Sequence, residues 1–537
     1  MEYAAHEDAV FYAGGKRLCA AAELRERTPC YVRPAERPVT LRVVDEAGKA
    51  VPVRVHAHGA AGEYLPPRTH HRVPNAYWFE DYGAELADGP HWSAYIDGQA
   101  EYLLPLGEVF FEVSKGFEIK PRRERFDITE NTGEVAITLE RVIDWRRRGW
   151  VTADTHVHFL SPPTALLEGE AEGVNIVNLL ATQWGELFTN VGDFDGMKEL
   201  GAGEHIVRVG TENRQRVMGH ISLLGYEGRM ILPLTTGGPD ESALGDPLET
   251  TLTQWGKQCK EQGGYVIVPH FPSPRLENAA AIVAGYADAV EAVGSFAISP
   301  YYLSDWYRYL NCGYHVAAVG GTDKMGAYIA VGAMRTYALV DGPLTYQSWK
   351  QACIDGRTFA TSGPLIDMRV EGKPMGSRID LPGPGKLAVN WEVASATIPV
   401  TAVELVVNGD TVDGDTFDGL LGEKSGTFTV DAGGSVWVAL RVRGRMAHAP
   451  EVVAAHTSAV FAIVEGKPLF SAPDAATIID QIEGATAYVK TLATMAQERE
   501  YKQVLAALAG AHRALHNRVH AQGHYHRHTA VDMHEGH

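Results

Sequence analysis

Two short stretches carry histidines one residue apart. "VRVHAHGA" holds His56 and His58, and "TADTHVHFL" holds His156 and His158. Residues two apart on an extended strand share a face, so either pair could present two imidazoles to one cation. Around the first pair, Val53, Val55 and Ala57 alternate with Arg54, His56 and His58, which describes a half-buried strand with a solvated polar face. No acidic or histidine partner is patterned near it. The second pair has company: Glu212 follows "HIVRVGT", His220 precedes "ISLLGY", His270 follows "YVIVP" and Asp323 follows "HVAAVGGT". All four stand at the edges of strand-like runs. Imidazole nitrogens with carboxylate oxygens suit Zn²⁺, Mn²⁺ or Fe²⁺, so the expectation is a divalent-metal centre built from His156, His158, Glu212, His220, His270 and Asp323.

Such a set works only if the elements carrying it converge. From Gly149 onward, β-branched runs ("GVNIVNLLAT", "EHIVRVGTE", "GYVIVPHFP", "ADAVEAV", "HVAAVGGTD") are separated by helical or loop stretches, which predicts a parallel α/β unit with a barrel-like rim for the ligands. Before it, from Pro38 to Glu140, short β-rich runs alternate with turn residues, as in a small antiparallel sandwich. A second sandwich is expected over 376–466. The final part, from "SAPDAATIID", spaces Ile478, Ile482, Ala485, Val489 and Leu492 by three and four, predicting amphipathic helices that pack on a domain or on a second subunit. The expected divisions are 1–148, 149–375, 376–466 and 467–537.

The order HxH, Glu, His before an apolar strand, "VPHFP" and "GGTDK" resembles the polymerase and histidinol phosphatase (PHP) superfamily of metal-dependent hydrolases over residues 149–375. The sandwich before "RRGWVTADTHVHF" and the stretch "GRTFATSGPLIDMRVEGKPMGS" are similar to its carbaryl hydrolase (CehA/McbA) branch. That resemblance implies a distorted (β/α)7 barrel flanked by β-sandwiches. It also implies one metal held by His156, His158, Glu212 and Asp323, with a second held by a bridging Glu212, His220 and His270. The superfamily's third metal site is expected to be absent: "FLSPPT" stands where an Asp is usual, "LATQW" around Thr182 and Gln183 replaces the TDH that ends the next strand, and the usual Asp-x-His reads Asp323-Lys324-Met325.

The implied activity is hydrolysis of a carbamate or carboxylic ester by a metal-activated hydroxide, with two Zn²⁺ or Mn²⁺ ions, or Fe²⁺, and a small-molecule substrate. Lys324, Gln183 or Arg214 would stabilise the oxyanion or leaving group, unless Lys324 only salt-bridges a ligand carboxylate and Arg214 only faces solvent. Glu291 in "ADAVEAV" corresponds to a frequent superfamily carboxylate and is expected to hydrogen-bond a ligand histidine, as is Asp154. Tyr301, Tyr302, Trp306 and Tyr309, with Trp184, would either line a pocket for an aryl leaving group or pack as core. Rival readings are a phosphodiesterase, an amidohydrolase barrel, and a carbohydrate- or surface-binding protein with a degenerate barrel.

The net charge of -19 argues against nucleic acid and anionic membranes as partners. The start "MEYAAHEDAV" lacks the marks of a signal peptide, which gives the cytosol as the expected compartment. Cys19, Cys30, Cys259, Cys312 and Cys353 are scattered without CxxC spacing, supporting neither a disulfide framework nor a zinc knuckle. The C-terminal helices offer a homodimer surface. His512, His516, His520 and His524 recur every fourth residue and would share one face if a helix continued past Gly510; a frayed polar tail is the alternative.

Overall fold

A computed structural model describes residues 10–20, 36–70, 84–196, 198–237, 249–274, 276–293, 300–446, 449–491 and 498–525. Cys30, Leu492 and residues beyond 525 lie outside these. The chain is mixed α/β, with one large sheet that runs from its histidine-bearing part into the C-terminal strands and smaller sandwich-like sheets before it.

Near the N-terminus, a three-stranded sheet (Glu134–Thr138, Glu36–Val44, Gln99–Pro105) faces a five-stranded antiparallel one (Glu85–Asp88, His91–Ile96, Val53–Gly59, Gly107–Ser114, Arg122–Ile128). Between them Val39, Leu41 and Val43 meet Val53, Val55, Ala57 and Phe111 in one core. His56 and His58 take the alternate, half-buried positions of their strand. His56 Nδ1 lies 2.6 Å from the Trp92 carbonyl, and His58 stacks on Phe110.

In the central part, strand Trp150–Val157 pairs parallel with Ile176–Trp184, and that strand pairs parallel with His205–Gln215. Gly219–Leu224 then runs antiparallel to both of its neighbours, His205–Gln215 and Tyr265–Val268. Parallel pairing resumes with Ala289–Val293 and Ala317–Gly320. The antiparallel hairpin departs from the all-parallel expectation, and its cause is local. Only residues 216–218 separate its two strands, too few for the crossover a parallel pair requires. Beyond the last strand the chain returns to the first: the His158 N–H donates to the Lys324 carbonyl at 3.0 Å, and the Lys324 N–H to the His156 carbonyl at 3.3 Å.

The same sheet extends through Arg335–Leu339 and Thr358–Thr361 into the C-terminal strands. Leu365–Val370, placed in the central part by sequence, pairs with Gly385–Val407, so the second β-rich unit begins before 376. Helices Ala472–Thr491 and Glu498–Ala521 pack on each other and on helices Asn278–Val283 and Pro300–Asn311. Ile478, Ile482, Ala485 and Val489 are buried there with Val504, Leu508 and Leu515. The described part of the apolar stripe, from Ile478 to Val489, is thus packed within the chain. No helix among the described residues is long and apolar enough to cross a membrane.

Candidate metal centre

Strand Trp150–Val157 is buried on both faces and delivers His156 at its end, with His158 just beyond. Asp154 fixes this end. Its carboxylate accepts the backbone N–H groups of His156 and Thr322 at 3.0 Å each and that of Gly332 at 2.6 Å, tying the first strand to the segment that carries Asp323. In the hairpin, Glu212 and Arg214 lie two apart on one strand, and His220 stands directly opposite Arg214. One face thus presents all three. His270 and Asp323 follow their strands with φ of 33° and 53°, left-handed backbone that is costly for residues with a Cβ and that clusters at functional sites.

The six expected ligands meet. Nε2 of His156 and Nε2 of His158 lie 2.9 Å apart. Glu212 is the hub: its carboxylate is 3.1 Å from His220 Nδ1, 3.5 Å from His270 Nε2, 3.5 Å from His158 Nε2 and 3.7 Å from His156 Nε2. Asp323 Oδ1 stands 3.4 Å from His156 Nε2 and 3.8 Å from His158 Nε2. Three groups bring their ligand atoms within 4.8 Å of one another: His156, His158, Glu212; Glu212, His220, His270; and His156, His270, Asp323.

Surrounding groups aim these rings. Nδ1 of His156 faces the Glu291 carboxylate at 3.2 Å, and the same carboxylate accepts the His270 backbone N–H at 2.8 Å. Thr155 donates its hydroxyl to Glu291 at 3.0 Å. His270 Nδ1 is held by the Ser273 carbonyl. A ring whose Nδ1–H is engaged in this way presents a lone pair at Nε2, the arrangement found behind metal-bound histidines.

The donor set fits a cation. Burial drives His158 down to about 3 and His220 down to about 4, against the pull of Glu212, so both rings are neutral near pH 7. Burial opposes ionisation of Glu212, yet His220, His270 and Arg214 hold it well below the usual carboxylate range. Asp323 is likewise lowered by His156, His270 and His158 despite burial. Burial also works against charging His156, but Glu291, Asp323 and Glu212 outweigh it and lift that ring to about 10. A buried group of carboxylates thus draws protons onto neighbouring imidazoles, and a divalent ion would displace them. Nδ1 of buried His158 has no hydrogen-bond partner among the described residues, so nothing on its far side competes for the ring.

The four expected helpers separate. Arg214 is at the site, with its guanidinium 3.5 Å from Glu212 Oε2 and stacked over Trp184 at 4.6 Å. Glu291 stands behind His156, as expected. Gln183 turns its amide to the Gly185 carbonyl at 2.8 Å, which supplies no contact with the ligands. Lys324 departs from the oxyanion role. Its fully buried ammonium donates to the Gly326 and Ile329 carbonyls at 2.9 and 2.8 Å and pairs with Glu168 at 3.6 Å.

The aromatic expectation also divides. Trp184 stands edge-on to His158 at 4.9 Å and stacks on Phe159 at 5.1 Å, forming a wall beside the cluster. Trp306 and Tyr309 are core residues, while Tyr301 is exposed. Thr155 and Phe159 were not anticipated. Strand parity points Thr155 away from the His156 face, and the register irregularity between Asp154 and Val157 undoes that parity. No family model matches the chain, and no curated protein matches it.

Proposed function

We propose that the chain is a divalent-metal-dependent hydrolase of the PHP superfamily, near its carbaryl hydrolase branch, that cleaves an ester-like carbonyl in a small carbamate or carboxylic ester. In this reading the distorted (β/α)7 barrel is formed by Trp150–Val157, Ile176–Trp184, His205–Gln215, Gly219–Leu224, Tyr265–Val268, Ala289–Val293 and Ala317–Gly320. The supporting observation is the convergence of four imidazoles on the buried carboxylate of Glu212, with Asp323 beside His156 and His158.

His156, His158, Glu212 and Asp323 would hold one ion, and Glu212, His220 and His270 a second. Zn²⁺ or Mn²⁺ suits the donors, and Fe²⁺ is compatible. Divalent ions bound there supply Lewis acidity and a lowered pKa for water. The residues do the remainder. Glu291 keeps the proton of His156 on Nδ1, which leaves Nε2 for coordination. The side chains of Asp323, His270 and His220 are 21%, 19% and 11% exposed, against 2% for Glu212, so substrate enters over their edge. Asp323, the most open carboxylate of the cluster, is placed to take the proton of the attacking water on the oxygen not turned to His156 and His158. Arg214, beside that opening and steadied by the Trp184 face, is the cation available to a developing oxyanion. Trp184 and Phe159 bound one side with an apolar surface for the leaving group. A phosphodiester is the second reading, favoured by the guanidinium of Arg214.

The test is reconstitution with Mn²⁺ or Zn²⁺ followed by assay on 4-nitrophenyl esters, carbamates and phosphodiesters. Metal-dependent turnover of esters or carbamates supports the first reading, and a preference for phosphodiesters supports the second. Metal-free, inert protein would overturn both.

A further inference from the structure

Helix Glu498–Ala521 runs through Gly510 without a break, and this decides the fate of the histidine ladder. His512, His516 and His520 stand one turn apart on the same face. They are not frayed: His512 and His516 are fully buried and His520 is half-buried. The ladder divides by partner. His512 Nε2 is turned to Glu483 Oε1 on the preceding helix, at 3.1 Å. His516 and His520 instead point their Nε2 atoms at each other, 3.2 Å apart, with rings edge to face at 4.5 Å.

We infer that Nε2 of His516 and Nε2 of His520 form a second transition-metal site, sharing no residue or element with the buried centre. Two histidines at i and i+4 on one helix face are the spacing by which metalloprotease helices chelate zinc. Their place in the last two turns adds a favourable field, because a helix C-terminus carries partial negative charge. The basic side chain between them does not oppose an ion there: Arg518 turns to the Cys312 carbonyl and stacks over Tyr314. Imidazole donors select borderline ions, so Cu²⁺, Ni²⁺ and Zn²⁺ are the ions expected, with Cu²⁺ the tightest, and water would complete the coordination.

The experiment uses full-length protein stripped by chelator and titrated calorimetrically with Ni²⁺ and Cu²⁺. Wild type is compared with His520→Gln, with His516→Gln and with His512→Gln, each checked for folding by circular dichroism. A His156→Ala/His270→Ala variant removes the buried centre from the count. In that background one equivalent should remain, and the copper form should show imidazole nitrogen couplings in its EPR spectrum. His520→Gln should weaken this equivalent at least about tenfold, since losing a direct ligand exceeds the 10–100-fold cost of losing groups behind one. His512→Gln should leave it in place. An equivalent unchanged in both His516→Gln and His520→Gln would overturn the site, as would one lost only with His512→Gln.

Discussion

Glu212 is the residue on which the candidate centre turns, because its carboxylate faces four histidine rings and Arg214 from a position almost wholly shielded from water. Glu212→Gln keeps the shape and removes the charge. It should lower metal affinity and metal-dependent turnover at least about 100-fold, read by metal titration and initial rates. Lys324 makes the opposite case. Its ammonium and Glu168 are both fully buried, and breaking such a pair by removing one partner costs about 3–5 kcal/mol. Lys324→Met should therefore lose that much stability in denaturant titration, and Lys324→Met/Glu168→Leu should recover part of it. A Lys324→Met protein of wild-type stability with a depressed kcat would restore the oxyanion role instead.

At the scale of elements, sequence made strand ends legible and strand directions only partly so. Each candidate ligand borders an apolar run, and burial of such runs is what makes them strands, so the six positions that meet could be picked out without a structure. The antiparallel turn at 216–218 could not be read from apolar pattern, since parallel and antiparallel buried strands look alike in composition. The turns of Gln183 towards Gly185 and of Lys324 towards Gly326 were hidden for a related reason: periodicity places a residue near a rim but does not say where a long side chain turns. Phe159 was invisible because its approach to Trp184 depends on a positive φ of 65° that no residue type announces.

Glu277 shows the same dependence on tertiary context. Its carboxylate accepts the backbone N–H groups of Leu252 and Thr253 at the start of helix Leu252–Glu261, 2.9 Å from each, yet burial lifts its pKa to about 7. With the folded value above the unfolded one, the native state binds the extra proton. The stabilisation is present below about pH 4.5 and is lost as pH rises towards about 7. Relative to Glu277→Gln, wild type should lose thermal stability between about pH 5 and pH 8. A pH-independent difference between the two melting temperatures would contradict this.

For the whole molecule, the C-terminal helices belong to the body of the chain. Ile482 is fully buried in a cluster that joins both helices to residues as distant as Val290 and Trp437. Ile482→Ala should cost about 2–5 kcal/mol, and its effect on the unfolding midpoint should not vary with protein concentration. A concentration-dependent midpoint would return this surface to a subunit interface. The most direct test of the central claim is metal content after chelation, reconstitution with Mn²⁺ or Zn²⁺ and removal of free ion, compared between wild type and Glu212→Gln. The expected result is divalent metal retained by wild type and lost from Glu212→Gln, with both folded. Equal metal content in the two proteins would contradict the assignment of a metal centre to this cluster.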